Sequence, residues 1–72
     1  MKKSNIIDNF LKSQHINSKN FTKNSKEHYE FIVEGAEKFP MYKLCYKTFE
    51  VDNIKLYFGH KMHKTFFCDI IK

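Results

Sequence analysis

The spacing of apolar residues changes along the chain, and each change marks an element. Ile6, Ile7, Phe10 and Leu11 recur at spacings of three and four, which places one apolar stripe on a helix. Ser4 stands where an N-cap is expected, so a short helix is predicted over about residues 4–14. Residues 15–26, HINSKNFTKNSK, have no apolar period and are rich in Asn, Ser and Lys. They read as a polar loop, tied down at Ile16 and Phe21 or else mobile and functional. Its lysines Lys19, Lys23 and Lys26 fit a solvated loop better than a contact with an acidic partner.

Residues 27–38 fit two patterns. As a helix they have Asn24 and Glu27 at capping-box spacing, Tyr29, Ile32, Val33 and Ala36 on one face, a Glu34–Lys38 pair, and Pro40 just beyond the end. As a strand they alternate Tyr29, Phe31 and Val33 with Glu30, Ile32 and Glu34. More independent signals agree on the helix, and both readings stay open.

The clearest stretch is the β-hairpin predicted over residues 41–60, where two β-rich runs flank Asp52-Asn53. A two-residue loop there registers Val51 opposite Ile54, Glu50 opposite Lys55, Phe49 opposite Leu56 and Thr48 opposite Tyr57. Apolar residues then pair with apolar, and opposite charges meet. Upstream, strict alternation would turn Lys43 and Lys47 into the core, so a β-bulge is expected near Lys47-Thr48. That bulge returns Tyr42, Leu44 and Tyr46 to the core and leaves Lys43, Cys45 and Lys47 on the other side. Residues 59–64 read as a second turn. A final strand over about residues 64–71 sets Phe66, Cys68 and Ile70 against Phe67, Asp69 and Ile71. Being apolar on both faces, it belongs in the middle of a sheet or at an edge that another chain covers. The expected architecture is a small single α+β domain. An N-terminal helix and a second helix pack on an antiparallel sheet of three strands, or four if residues 28–34 are extended.

Composition sharpens this picture. A chain of 72 residues hides only about 60% of the surface it exposes when unfolded, so its core must come from few, large side chains. Eight Phe and four Tyr supply them and argue against disorder. A monomer of marginal stability or a homodimer is the expectation. The formal charge of +5 rests on thirteen lysines with no arginine, which removes the usual bidentate reader of guanine and phosphate. Abundant Lys, Asn, Ile, Phe and Tyr is also what AT-rich codon usage writes, which weakens basic charge as a nucleic-acid signal. No apolar run reaches membrane-spanning length, and charges interrupt the amino-terminal apolar stretch where a signal peptide would be continuous. A cytoplasmic protein with no membrane partner is expected, in which Cys45 and Cys68 are buried free thiols.

Four kinds of chemistry compete for the polar residues. His60 and His63, with Cys68 or Asp69, could hold zinc, but a spacing of three divides them between opposite faces of a strand, and no CxxC is present. Neither a metal nor another cofactor is expected. The same histidines, with Lys61, Lys64 or Tyr57 steadying a phosphate, would suit a metal-free ribonuclease, a remote alternative to a protein with no enzymatic activity. Sequence-tolerant binding of RNA or DNA would use a Lys/Tyr sheet face formed by Lys43, Lys47, Lys55 and Tyr57, extended by Lys61, His63 and Lys64. The leading expectation is an inhibitor or adaptor that docks on a larger host protein or nucleoprotein complex, through Lys43, Lys47, Lys55, Tyr57, His60, Lys61, His63 and Lys64. In size and composition the chain is similar to phage host-takeover and anti-defence proteins, anti-CRISPRs among them. No motif carries that likeness, and no site residues follow from it. It implies action in the cytoplasm of a host cell.

Overall fold

The structure is a computed structural model and describes residues 3–71. Its elements run α1 (Lys3–Ser13), β1 (Lys19–Ser25), β2 (His28–Ile32), α2 (Lys38–Leu44), β3 (Thr48–Val51), β4 (Ile54–Met62) and β5 (Thr65–Ile71), with a 3-10 turn at Gly35–Glu37 leading into α2. The five strands form one antiparallel sheet in the order β1-β2-β5-β4-β3, and both helices pack on one face of it. The fold is α+β, with five strands where three or four were expected.

The first helix forms as its stripe predicts, with Ile7 and Leu11 fully buried. Ser4 lies inside the helix rather than capping it. The C-terminus closes through His15 at φ 64°, with Ile16 N–H donating to the Leu11 carbonyl and His15 N–H to that of Lys12. This is the six-to-one and five-to-two pattern of a left-handed helix stop, sealed by apolar contact between the residues it joins. Leu11 and Ile16 are both fully buried in the core.

Residues 15–26 are not all loop, since residues 19–25 form the edge strand β1. Only Phe21 is drawn inward, stacked on Phe31 at 5.1 Å between ring centroids. The other side chains of β1 are exposed, so no apolar period could report the strand. It is held by main-chain pairing with β2 and interrupted by two register shifts, which suits a lysine-bearing edge.

Residues 28–32 take the strand reading, with Tyr29 and Phe31 buried and His28, Glu30 and Ile32 on the other face. The helix signals there did not act locally. Asn24 lies in β1, and Glu34 meets Lys19 and Lys64 instead of Lys38. The second helix lies later, over Lys38–Leu44, and replaces the first half of the expected hairpin. Met41, Leu44 and Cys45 recur at three and four, and this period buries Met41 and Cys45. Pro40 falls in the first turn, where its missing N–H has no intrahelical acceptor to lose. A bulge-like irregularity does form at the entry to β3, where Tyr46 and Lys47 together face Phe58, Tyr46 N–H donating to the Phe58 carbonyl and Phe58 N–H to that of Lys47. It joins β3 to a helix rather than to an upstream strand, and so does not return the tyrosines to the core. Tyr42 and Tyr46 are therefore exposed, not core.

The hairpin tip has the expected register, Val51↔Ile54, Glu50↔Lys55, Phe49↔Leu56 and Thr48↔Tyr57. Asp52 and Asn53 both take positive φ, 51° and 68°, which gives the loop the twist of the strands it joins. The turn expected over residues 59–64 shrinks to His63-Lys64, with residues 59–62 continuing β4 through a bulge between His60 and Met62. The last strand, β5, lies centrally between β2 and β4.

The helix-covered face gathers Phe31, Phe58 and Phe66, all within 1% of full burial, and α1 adds Phe10, 5.7 Å from Phe58 and 5.1 Å from Phe49. Each fully buried ring contributes about 1.5–3 kcal/mol relative to exposure. Cys45 and Cys68 are free thiols in this layer. Burial raises both, and Cys68, also beside the Asp69 carboxylate, is pushed up to about 12. On the opposite face Phe67 lies across Gly59, its cross-strand partner, so a Cβ at residue 59 would overlap the ring. Gly59→Ala is expected to lower stability by about 1–2 kcal/mol by displacing that ring. The double variant Gly59→Ala/Phe67→Leu should lose less than the sum of the two single changes in urea unfolding, and strict additivity would refute the contact.

Candidate docking surface

The residues singled out from the sequence separate onto four regions. Tyr57 and Lys55 lie on the open face of the sheet, opposite Thr48 and Glu50. Lys43 sits on α2 and Lys47 on the segment leading into β3, so neither shares that face. His63 and Lys64 form the turn between β4 and β5, and Lys61 lies in the bulged end of β4. The continuous Lys/Tyr sheet face expected from alternation does not form. A helix stands where that alternation was assumed, which sends Lys43 and Lys47 to the other side of the molecule.

The open face instead carries a charge-balanced lattice. His28 on β2 bonds Asp69 on β5 through Nδ1, and its Nε2 lies 3.3 Å from Glu30. Lys61 donates to Glu30 at 2.8 Å. The His28 ring stacks on Phe67, 5.4 Å away, and Tyr57 flanks the same ring at 6.5 Å. Asp69 is the main reason the His28 pKa lies above its ordinary value, partial burial opposing it and Glu30 adding to it. Lys61 in turn draws the Glu30 carboxyl down. At the neighbouring edge Glu34 is gripped by Lys19 at 2.5 Å and Lys64 at 2.7 Å, which hold it down at about 2. Lys61 and Lys64 are therefore already neutralised by carboxylates. His28 and Glu30 were missed in the sequence, although the strand reading of residues 28–32 places them on one face at a spacing of two, and Asp69 was considered only as a zinc ligand beside His60 and His63.

His60 belongs elsewhere. It lies on the helix-covered face opposite Phe66, its ring 4.7 Å from that of Phe66 and 5.3 Å from that of Tyr42. Its Nε2–H donates to the His63 carbonyl at 2.7 Å, so the two histidines are joined through main chain rather than aimed at a common substrate. Among the described residues no group of three His, Cys, Asp or Glu side chains is arranged to hold a metal ion.

Around His60 the structure builds a surface that the sequence did not announce. Phe39 is 70% exposed, Tyr42 42% and Tyr46 64%, all within the segment KFPMYKLCYK of residues 38–47. The Tyr46 O–H reaches the His60 carbonyl at 3.4 Å, and the Tyr46 N–H donates to the Phe58 carbonyl. Tyr46 takes φ 64°, a left-handed conformation that glycine adopts freely and a bulky residue only at a cost of about 1–2 kcal/mol. Lys38, Lys43 and Lys47 accompany these aromatics, and the segment has no carboxylate. The helical spacing of Met41, Leu44 and Cys45 was the available signal, since it turns Tyr42 outward.

Two shallow clefts complete the surface. One, of about 250 Å³, is lined by Asn20, Thr22, Glu30, Phe31, Ile32 and Thr65, and the other, of about 380 Å³, by Asn17, Lys19, Glu34, Ala36 and Glu37. In the second, Glu34 is held by lysines and Glu37 by the main-chain N–H and side-chain amide of Asn17. Among the described residues no helix is long and apolar enough to cross a membrane. Compared with protein-family models, with curated proteins and with solved structures, the chain matches none.

The paired charges give a pH dependence of opposite sign at the two ends. His28, raised above its ordinary 6.5, contributes stability that is complete below 6.5 and lost as pH rises through its folded value. Glu34, lowered to about 2, contributes stability present above its ordinary 4.5 and lost as pH falls toward 2. Urea midpoints measured across pH should fall on both sides. His28→Gln should flatten the alkaline fall by up to about 1 kcal/mol, and Glu34→Gln should reduce the acid fall. An unchanged pH profile in His28→Gln would show that the His28–Asp69 pair adds nothing to folding.

Proposed function

We propose that this protein is a small non-enzymatic binding protein, an inhibitor or adaptor that docks on a larger protein through α2 and the segment leaving it. The observation that supports this reading is the exposure of Phe39, Tyr42 and Tyr46 within residues 38–47. A small domain short of core-forming area has strong reason to bury such side chains, and large aromatics are the usual anchors of protein interfaces. The left-handed Tyr46 adds to the argument, because strain in a bulky exposed residue has no folding advantage over glycine at that position. Lys43, Lys47 and His60 belong to this surface in our reading. Lys55, Tyr57, Lys61, His63 and Lys64 flank it from the open sheet face and the β4–β5 turn. A role against a host protein or nucleoprotein complex, of the kind phages and mobile elements encode, suits the size and composition of the chain.

Sequence-tolerant nucleic-acid binding is the second reading, favoured by the lysines interleaved with exposed aromatics in residues 38–47. The open sheet face offers it little, since Tyr57 there stands opposite Asp69, and the lysines of that face share it with Glu50 and Glu30.

The two readings separate in a capture experiment with tagged wild-type protein and the Phe39→Ala/Tyr42→Ala variant, in lysate with and without nuclease. A protein retained after nuclease by the wild type and lost by the variant is expected. Equal capture by both proteins, or loss of all partners on nuclease treatment, would overturn the protein-docking reading. Tyr46→Gly should leave stability unchanged or raise it by up to about 1 kcal/mol while weakening the same capture. A Tyr46→Gly variant that is less stable and binds normally would make Tyr46 a purely structural residue.

A further inference from the structure

We infer that the partner presents an acidic protein surface, with an apolar recess for Phe39, Tyr42 and Tyr46 and carboxylates at its rim for Lys38, Lys43 and Lys47. This inference rests on the docking reading above and specifies its partner. Its basis is the distribution of paired and unpaired charge. Five lysines elsewhere are matched, Lys3 to Glu27, Lys12 to Asp8, Lys19 and Lys64 to Glu34, and Lys61 to Glu30. Of those elsewhere without an ion pair among the described residues, Lys23 lies over the Tyr29 ring, Lys55 stands opposite Glu50 and Lys26 follows β1. None of them is in a segment that exposes several large aromatics and has no carboxylate. Lys38, Lys43 and Lys47 make no ion pair among the described residues. The acidic residue nearest in sequence, Glu37, is turned to Asn17, which donates to both of its oxygens, at 2.8 and 3.1 Å. The aromatic cluster is thus bordered by positive charge that the fold itself leaves unanswered.

Complementarity then selects the partner, since like charge facing this surface would be repelled and a neutral one would leave three ammonium groups without counter-charge. The short extent of the feature favours a protein over a nucleic acid. A helix of seven residues is only about 10 Å long. A phosphate backbone is held by positive charge that tracks along it, whereas beyond this segment Lys61 and Lys64 are bound to Glu30 and Glu34, and Lys55 stands opposite Glu50. Phe39, which has no polar atom on its side chain, also calls for an apolar recess more than for a wet groove.

The test is selection of a random displayed peptide library on immobilised full-length protein, with the Phe39→Ala/Tyr42→Ala variant as counter-target, alongside titration with single-stranded and duplex oligonucleotides. Enriched peptides should combine Asp or Glu with Leu or Phe. Their affinity should fall as salt rises and drop about tenfold on Lys38→Glu/Lys43→Glu/Lys47→Glu, with far-UV circular dichroism unchanged. The milder Lys→Gln triple variant should lose less and serves if charge reversal perturbs folding. Peptides that need Phe39 and Tyr42 but carry no net negative charge, and that ignore the lysine changes, would overturn the acidic partner and leave the docking surface standing. Failure to enrich any peptide on the wild type over the variant counts against the surface itself. Oligonucleotide binding that depends on the same lysines, with no peptide selected, would overturn both.

Discussion

Two β-hairpins in this protein become one sheet only because the last strand lies between them. β1 and β2 pair with each other, as do β3 and β4, and β5 joins the halves by pairing with β2 on one side and β4 on the other. An isolated two-stranded hairpin is marginal in water, so neither half holds its shape without this strand. Its alternation matches the task. Phe66, Cys68 and Ile70 enter the helix-covered core, while Phe67 closes over Gly59 and Asp69 anchors His28 on the other face. Because β5 comes last in sequence, its pairings with β2 span 33 to 41 residues, from Ile32↔Thr65 to His28↔Asp69, and the fold depends on contacts between residues far apart in the chain.

The two faces of that sheet are stabilised differently, and the difference isolates the candidate surface. One face is dry, with α1 closed by its left-handed stop at His15 and α2 tucked in by Met41. The other carries polar residues whose charges answer each other through His28, Asp69, Glu30 and Lys61. Such a lattice contributes modest stability and offers a partner little unsatisfied charge. Residues 38–47 are the contrast. There the helix buries one side, and the other leaves Phe39, Tyr42 and Tyr46 largely exposed beside lysines that make no ion pair among the described residues, with Tyr46 in a strained left-handed conformation.

Elements whose apolar residues follow a single period were legible in advance. The stripe of α1, the alternation of β5 and the tip of the β3–β4 hairpin could all be read from neighbouring residues, and the register there followed from charge and apolar pairing. The α+β class followed from the same patterns. Where a segment is governed by residues distant in sequence, local signals misled. Asn24, Glu27, Glu34 and Lys38 imitate a capped helix, yet Glu34 answers Lys19 and Lys64, and the backbone of residues 28–32 pairs with both β1 and β5. The edge strand β1 has one inward side chain and so no pattern to read.

The candidate surface divides in the same way. Its ingredients, lysines, aromatics and the absence of acid over residues 38–47, are plain in the sequence. Whether they work as a strand or as a helix is not, because Tyr42, Leu44 and Tyr46 alternate while Met41, Leu44 and Cys45 recur at helical spacing. The sequence by itself determined a small, lysine-charged α+β chain with an aromatic core, a hairpin turning at Asp52-Asn53 and a strand suited to the centre of a sheet. Only the tertiary structure decided which aromatics are core. A helix over the sheet can bury Met41 and Cys45 against Phe58 and Phe66, and that packing, made between residues far apart in the chain, leaves Phe39, Tyr42 and Tyr46 in solvent.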